Sequence, residues 1–383
     1  MTRLLSLALV ALGAPAAAEQ WRLQYFYDED KTSLAIFDLK FPSARRGIAV
    51  GMVSEVKGEK QKPVVLVSGD GGAKWDVLPI KERGLALHFL NDTLGWMVTD
   101  GGVWQTEEAG RAWKKLKSFR GLRRVYFISE RKGWVIGAAK AIHQTDDGGK
   151  TWSKLPAAAE PKSNPEYTAY HTIAFVGPIG MIAGSSRPPR RDMRSPLPEW
   201  VDPETAARRR EWPALTLLLE TRDSGATWSS SSTSMFGGVS KISFWQGAGP
   251  EGKVLGATGL ALLEFTNSFQ YPSEVLRIDL RNGRSSTVYR DKERAITDVQ
   301  LSGPTSGFAA GYELPGTLRS APIPGRVKIL KTNDLASWVA MDVDYRAVAG
   351  KVILARSPEG ECWAATDTGM ILKLDSPSGQ NKK

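Results

Sequence analysis

TDDGGKTW, residues Thr145 to Trp152, lies near the middle of the chain, and its reading decides the fold. Two acids, two glycines and an aromatic in eight residues could mark a calcium loop, a catalytic carboxylate pair or a tight turn. Recurrence discriminates among them. SGDGGAKW covers Ser68 to Trp75, TEEAGRAW covers Thr106 to Trp113, TRDSGATW covers Thr221 to Trp228, and a shortened copy, TNDLASW, covers Thr332 to Trp338. A calcium loop needs more carboxylates at alternate positions than TDDGGKTW offers. The second copy also puts Glu107-Glu108-Ala109 where the first has Asp146-Asp147-Gly148. A turn tolerates that exchange and a metal site does not. The octapeptide therefore reads as a structural box. Asp147, with Asp70, Asp223 and Asp334, accepts hydrogen bonds from turn amides. Gly149 takes a backbone shape closed to side chains. Trp152, like Trp75, Trp228 and Trp338, buries apolar area between strands.

Outward from the box, the pattern repeats. Trp75 and Trp113 are 38 residues apart, and Trp113 and Trp152 are 39 apart. A fixed period of about 40 residues signals a repeat architecture. Upstream of two boxes stand GWMVTDGGVWQ (Gly95 to Gln105) and GWVIGAAKAIHQ (Gly133 to Gln144), and before those lie LALHF (Leu85 to Phe89) and LRRVYF (Leu122 to Phe127). Short apolar and β-branched runs separated by Gly and Asp are strands. One repeat reads as strands A, B and C, the box as a C–D turn, then strand D. Four antiparallel strands in a repeat of this length make a propeller blade.

Blades one to four end at Trp75, Trp113, Trp152 and Trp228; the sixth ends at Trp338. The fifth lacks a box but has VLRIDLRNGRSSTVY (Val275 to Tyr289), whose Asn282-Gly283 marks a hairpin. The seventh, CWAATDTGMILKLD (Cys362 to Asp375), supplies B and C and then gives way to a polar tail. WRLQYFYD (Trp21 to Asp28) is a D-type strand with no A to C before it, so it is expected to complete blade seven. The fold class is all-β: a seven-bladed propeller closed by its N-terminal strand, leaving no free sheet edge.

The spaced elements F-x6-W-x-V-G, I-x-Q/T-T and D-x-G-x-T-W resemble those of the photosystem II stability and assembly factor family of seven-bladed Asp-box (BNR) propellers. The resemblance covers residues 21–375 and is tightest over 85–155. It implies a non-catalytic scaffold with an arginine-rich patch for partner binding. Sialidases and xyloglucanases share the box, so the box marks a fold rather than a function.

The chain has 383 residues, 42% hydrophobic and 24% charged, with net charge +10. Residues 1–18 combine Arg3, an apolar run from Leu4 to Leu12 and Ala16-Ala17-Ala18, the marks of a secretory signal peptide. Export to the periplasm or extracellular space is expected, with 19–375 as one propeller domain, 184–214 as an insertion and 376–383 as a polar tail. No second long apolar run follows, so no integral membrane segment is expected after cleavage. Cys362 is the only cysteine, so no intramolecular disulfide forms. No metal, cofactor or catalytic constellation stands out, and the expected oligomeric state is a monomer.

Strand direction alternates within a blade. The boxes therefore lie on one face, while the B–C and D–A connections lie on the other. The long B–C connections at 53–63, 184–214 and 311–326 point to that second face as the functional one. The 184–214 insertion carries Arg187, Arg190, Arg191 and Arg194; Arg120, Arg123 and Arg124 enter blade three from the same face. Arginine forks of this kind fit an acidic protein surface or an anionic polymer, and export argues against nucleic acid. Asp38, Arg124, Lys241 and Asp298, with His171 near the same level, form a mixed-charge ring at the channel mouth. It reads either as mutual ion pairing or as a polar ligand pocket. Two functional readings remain: a non-catalytic protein-binding or assembly scaffold, and a glycan-binding or glycoside-hydrolase-like propeller. For the second, Asp38 and Asp298 would face across the channel, and Trp200, Trp212 and Trp245 would stack on sugar.

Overall fold

The structure, a computed structural model, describes residues 19–58, 60–187, 202, 204, 213–245, 258–265, 271–314 and 325–375. Its sheets follow the repeat. Blade one is Thr32–Lys40, Gly47–Glu55, Gln61–Ser68 and Asp76–Pro79. Blade two is Gly84–Phe89, Gly95–Thr99, Gly102–Thr106 and Lys114–Ser118. Blade three is Leu122–Phe127, Gly133–Gly137, Ile142–Thr145 and Ser153–Lys154. Blade four is Thr168–Val176, Ile179–Ser186, Ala214–Thr221 and Ser229–Met235. Blade five is Gly238–Phe244, Thr258–Glu264, Ser273–Asp279 and Arg284–Arg290. Blade six is Arg294–Leu301, Gly307–Glu313, Gly325–Thr332 and Val339–Ala340. Blade seven takes Val352–Arg356, Cys362–Thr366 and Met370–Asp375 from the C-terminal part and Gln20–Phe26 as its outer strand. Trp21 pairs antiparallel with Leu374, while Asp342–Val343 adds a parallel pair on the far side of the N-terminal strand.

In blades one, three and four the box pins the C–D turn through two side chains. A buried hydroxyl at its first position accepts the amide of the fifth residue: Thr145 Oγ1 takes Gly149 N–H at 2.9 Å, and Ser68 Oγ takes Gly72 N–H at 2.9 Å. The acid then accepts the next amides: Asp147 takes Thr151 N–H at 2.9 Å, and Asp223 takes Thr227 N–H at 2.8 Å. Those bonds hold the Asp147 carboxyl below the usual carboxylate range, the Thr151 hydroxyl acting first. The left-handed turn falls on Gly148 and Gly149, at φ 80° and 98°. Trp152 Nε1 closes the loop onto Gly149 O at 2.9 Å.

Boxes also join blades. Trp96 in strand B of blade two donates to Gly148 O in the box of blade three, and Trp363 of blade seven donates to Gly71 O in the box of blade one, each at 3.0 Å. The same indoles stack on the next blade's aromatic: Trp96 on Phe127 at 3.6 Å and Trp363 on Phe41 at 3.5 Å. The clasp forms at these two interfaces; Trp134 of blade three stacks on Phe175 of blade four in the same way but donates to Gln144 of its own blade. Between consecutive blades lie apolar clusters, one for each of the seven interfaces.

Two loop expectations need correction. The connection at 53–63 is no insertion: Val53 pairs with Lys62 and Ser54 with Gln61, so the B and C strands run on as an extended hairpin. Nor do all long connections share a face. In blade five, strand A ends at Phe244 and strand B begins at Thr258, an A–B connection on the box side. The signal segment 1–18, most of the 184–214 insertion and the tail 376–383 lie outside the described residues.

Candidate binding site at the channel mouth

Strand A of every blade faces the central channel, which encloses about 1090 Å³. In blades one to six that strand skips one residue in its pairing with strand B. Phe37, Leu85, Arg123, His171, Ser240 and Thr297 are the unpaired residues. A bulge re-aims side chains. Here it lets two consecutive residues, such as Arg123 and Arg124, both reach the opening. The glycine of W-x-V-G makes room for it. Gly51, Gly137, Gly184 and Gly311 each pair with the last strand-A residue before the bulge. A Cβ on Gly184 would sit 2.5 Å from the Ala169 carbonyl oxygen.

Immediately after each bulge comes the ring position. Asp38 Oδ2 accepts Leu87 N–H of blade two at 2.8 Å, and Oδ1 accepts Leu39 N–H at 2.9 Å and Lys40 Nζ at 2.6 Å. Asp298 Oδ2 accepts Leu354 N–H of blade seven at 2.9 Å, and Oδ1 accepts Val299 N–H at 2.8 Å and Lys241 Nζ at 3.0 Å. Thr172 Oγ1 accepts Ile242 N–H of blade five at 3.1 Å. Burial pushes Asp38 up, but Lys40, Arg124 and these hydrogen bonds outweigh it and hold the carboxyl below its usual range. The two aspartates are pins between neighbouring inner strands, with their oxygens already engaged. The ion-pair reading of the ring is the one the geometry supports, and Lys40 is the partner the sequence reading missed.

Above the ring, an opening of about 790 Å³ widens on the B–C and D–A face. Arg83, Arg123, Arg124, Arg187 and Lys351 line it, against one carboxylate, Glu264. Phe37, Leu85, Tyr167 and Phe265 give it apolar walls. His171 belongs here rather than in the ring: it is the blade-four bulge residue. Arg123 Nη1 donates to its Nδ1 at 3.0 Å, which leaves the proton on Nε2 to be donated to Ser185 Oγ at 2.9 Å. Desolvation, then Arg123, Arg124 and Arg187, lower the His171 pKa to about 4. Desolvation and the adjacent Arg124 charge also lower the Arg123 pKa, so an incoming carboxylate relieves repulsion there.

Of the arginines singled out in the sequence, Arg123, Arg124 and Arg187 converge on this opening, while Arg120 is exposed in the preceding turn and does not line it. Arg190, Arg191 and Arg194 lie outside the described residues, as do Trp200 and Trp212. Trp245 is partly buried against the core between blades five and six and is no free sugar platform. Arg83, Lys351 and Glu264 were not anticipated. Arg83 and Lys351 stand just before an A strand, as Arg123 stands at the start of one, and that shared position was a usable signal. Among the described residues no group of three or more His, Cys, Asp or Glu could hold a metal ion, and no helix is long and apolar enough to cross a membrane.

A solved structure described as YCF48 bound to D1 peptide superposes with a TM-score of 0.56 at 15% identity, covering 93% of this chain and 99% of its own. The chain has the fold of YCF48. YCF48 from Cyanidioschyzon merolae gives 0.57 at 13% identity, with 94% and 98% covered. The extracellular domain of the putative one component system BT4673 from B. thetaiotaomicron gives 0.52 at 12% identity, with 92% of this chain and 39% of that one covered. No protein-family model matches the chain, and no curated protein matches it. The likeness to YCF48 therefore spans the whole propeller and is one of architecture, at identities where only the fold carries over.

Proposed function

We propose that this chain is an exported, non-catalytic propeller that holds a partner protein by an acidic peptide segment seated at the basic channel mouth. The observation that carries the reading is the convergence of five cations on one open cavity with apolar walls. Guanidinium forks match carboxylates in pairs, and Phe37, Leu85 and Phe265 supply the surface against which peptide side chains lose water. A YCF48 structure described with a bound D1 peptide supports peptide recognition on this fold. The N-terminal Arg3, Leu4 to Leu12 and Ala16-Ala17-Ala18 pattern supports export. Hydrolysis of glycosides finds no foothold in the ring, because Asp38 and Asp298 spend their oxygens on backbone amides and lysines.

Fluorescence anisotropy with a labelled glutamate-rich peptide tests the reading. Reversing charge in Arg123→Glu/Arg124→Glu should weaken binding by about 100-fold or more, as expected when two charge-assisted contacts become repulsions. Lys114→Glu/Lys117→Glu makes the same charge change on exposed outer-strand residues of blade two and should cost only a small, salt-screened factor. Equal losses in the two variants would contradict a localised site.

A further inference from the structure

Tryptophans or boxes fill most gaps between blades, and one gap has neither. Trp96, Trp134 and Trp363 occupy the second position of strand B in blades two, three and seven, and Phe308 does so in blade six. In blade four the matching residue, paired one step before the strand-A phenylalanine as Trp134 is, is Met181. Blade five, which packs next to it, has a hairpin at Asn282-Gly283 instead of a box. The interface between these two blades thus lacks both the aromatic that donates the clasp and the turn that receives it.

A cavity of about 400 Å³ stands there. Met181, Ala183 and Leu218 wall it from blade four, and Ala261, Leu276 and Ile278 wall it from blade five. Leu218 and Leu276 remain half-buried although both belong to this core cluster. Thr216 also lines the cavity. The residue is 5% exposed, yet among the described residues its hydroxyl has no hydrogen-bond partner. A buried unpaired hydroxyl destabilises the fold unless something supplies a partner. An apolar void of about 150 Å³ already accepts a benzene-sized guest, and small-molecule sites begin at about 300 Å³. Exposed Ser231, Ser232 and Thr233 of the outer strand of blade four form the polar rim through which a guest would pass.

We propose that the cleft between blades four and five binds a small, largely apolar molecule carrying one hydrogen-bonding group, which it sets on the Thr216 hydroxyl. At interior packing density the cavity holds about 15–20 non-hydrogen atoms. The cleft shares Val239 with the channel mouth but none of its five basic residues, so its occupant is separate from the peptide.

The test uses the full propeller and N-phenyl-1-naphthylamine, an apolar fluorophore with one N–H. Saturable one-to-one binding with a micromolar dissociation constant is expected. Met181→Trp installs the residue that three other blades carry; it should keep the melting temperature and weaken binding at least tenfold. If Met181→Trp fails to fold, Ala183→Leu fills the same space. Thr216→Val should weaken binding several-fold while raising the melting temperature, because it removes an unpaired hydroxyl. Absence of saturable binding, or equal binding to wild type and Met181→Trp, overturns the proposal. Binding that appears only when residues 246–257 are replaced by a Gly-Ser linker overturns it too, in favour of the chain's own segment as occupant.

Discussion

Trp363→Phe probes the seam where the two ends of the chain meet. The Trp363 indole is fully buried, stacks on Phe41 at 3.5 Å and donates to Gly71 O at 3.0 Å. Phenylalanine keeps the stack but removes the donor, so a buried carbonyl is left unpaired at a cost of about 1–3 kcal/mol. The smaller ring also leaves a void of roughly 40 Å³, which at about 24 cal/mol per Å³ adds about 1 kcal/mol. The sum is about 2–4 kcal/mol. At about 2.1 cal/mol/K per residue over a chain of this size, that is a fall of roughly 3–5 °C in Tm. Trp338→Phe is the internal comparison. Trp338 belongs to the box of blade six and is only partly buried, and among the described residues its Nε1 has no partner, so only the void contributes, at most about 1 kcal/mol. Scanning calorimetry or denaturant titration of both variants reads the difference. Equal destabilisation by the two substitutions would refute the interblade clasp.

Gly137→Val should cost about 1–3 kcal/mol of stability and also weaken acidic-peptide binding, because a Cβ there meets the Gly121 carbonyl across the bulge that aims Arg123; a stability loss with unchanged affinity would uncouple bulge from site. His171 should titrate near pH 4 by NMR, against an ordinary value of 6.5. The unfolded chain takes up that proton between pH 6.5 and 4 and the folded chain does not, so His171 favours folding above pH 6.5 and this contribution is lost as pH falls through the window. A bound acidic peptide should raise the His171 pKa, and by linkage the peptide should bind more tightly at pH 5 than at pH 7; an unmoved titration would place the peptide elsewhere. Deleting residues 19–27 should leave Met370–Asp375 as an unpaired edge and yield an aggregating chain, read by size-exclusion chromatography; a well-folded monomer would show that the N-terminal strand is dispensable.

The blades were legible in the sequence because each is built from local signals at fixed spacing. The box encodes its own turn: Thr145, Asp147 and Gly149 bond within five residues, and the strand-B tryptophan sits seven residues beyond its phenylalanine. Closure by Trp21 to Phe26 was legible as well, since a lone outer strand at one end complements a blade lacking one at the other. The site was only half legible. Arg123, Arg124 and Arg187 stood out, but Arg83 and Lys351 come from other blades and meet them only through ring closure. The bulges escaped notice because an extra strand residue leaves no mark on its own strand. Their trace is the glycine on the partner: Gly51, Gly137, Gly184 and Gly311 yield to the carbonyl of strand A. The two carboxylates across the channel looked like a catalytic pair because sequence shows a residue type and a position, not the backbone amides that the next blade brings to it.

The most direct measurement is a crystal structure of the propeller with a bound glutamate-rich peptide. Carboxylate oxygens within hydrogen-bonding distance of Arg123, Arg124 and Arg187, with peptide side chains against Phe37 or Phe265, are the predicted result. A peptide seated on the box face, or contacts that leave all three arginines free, would contradict the account.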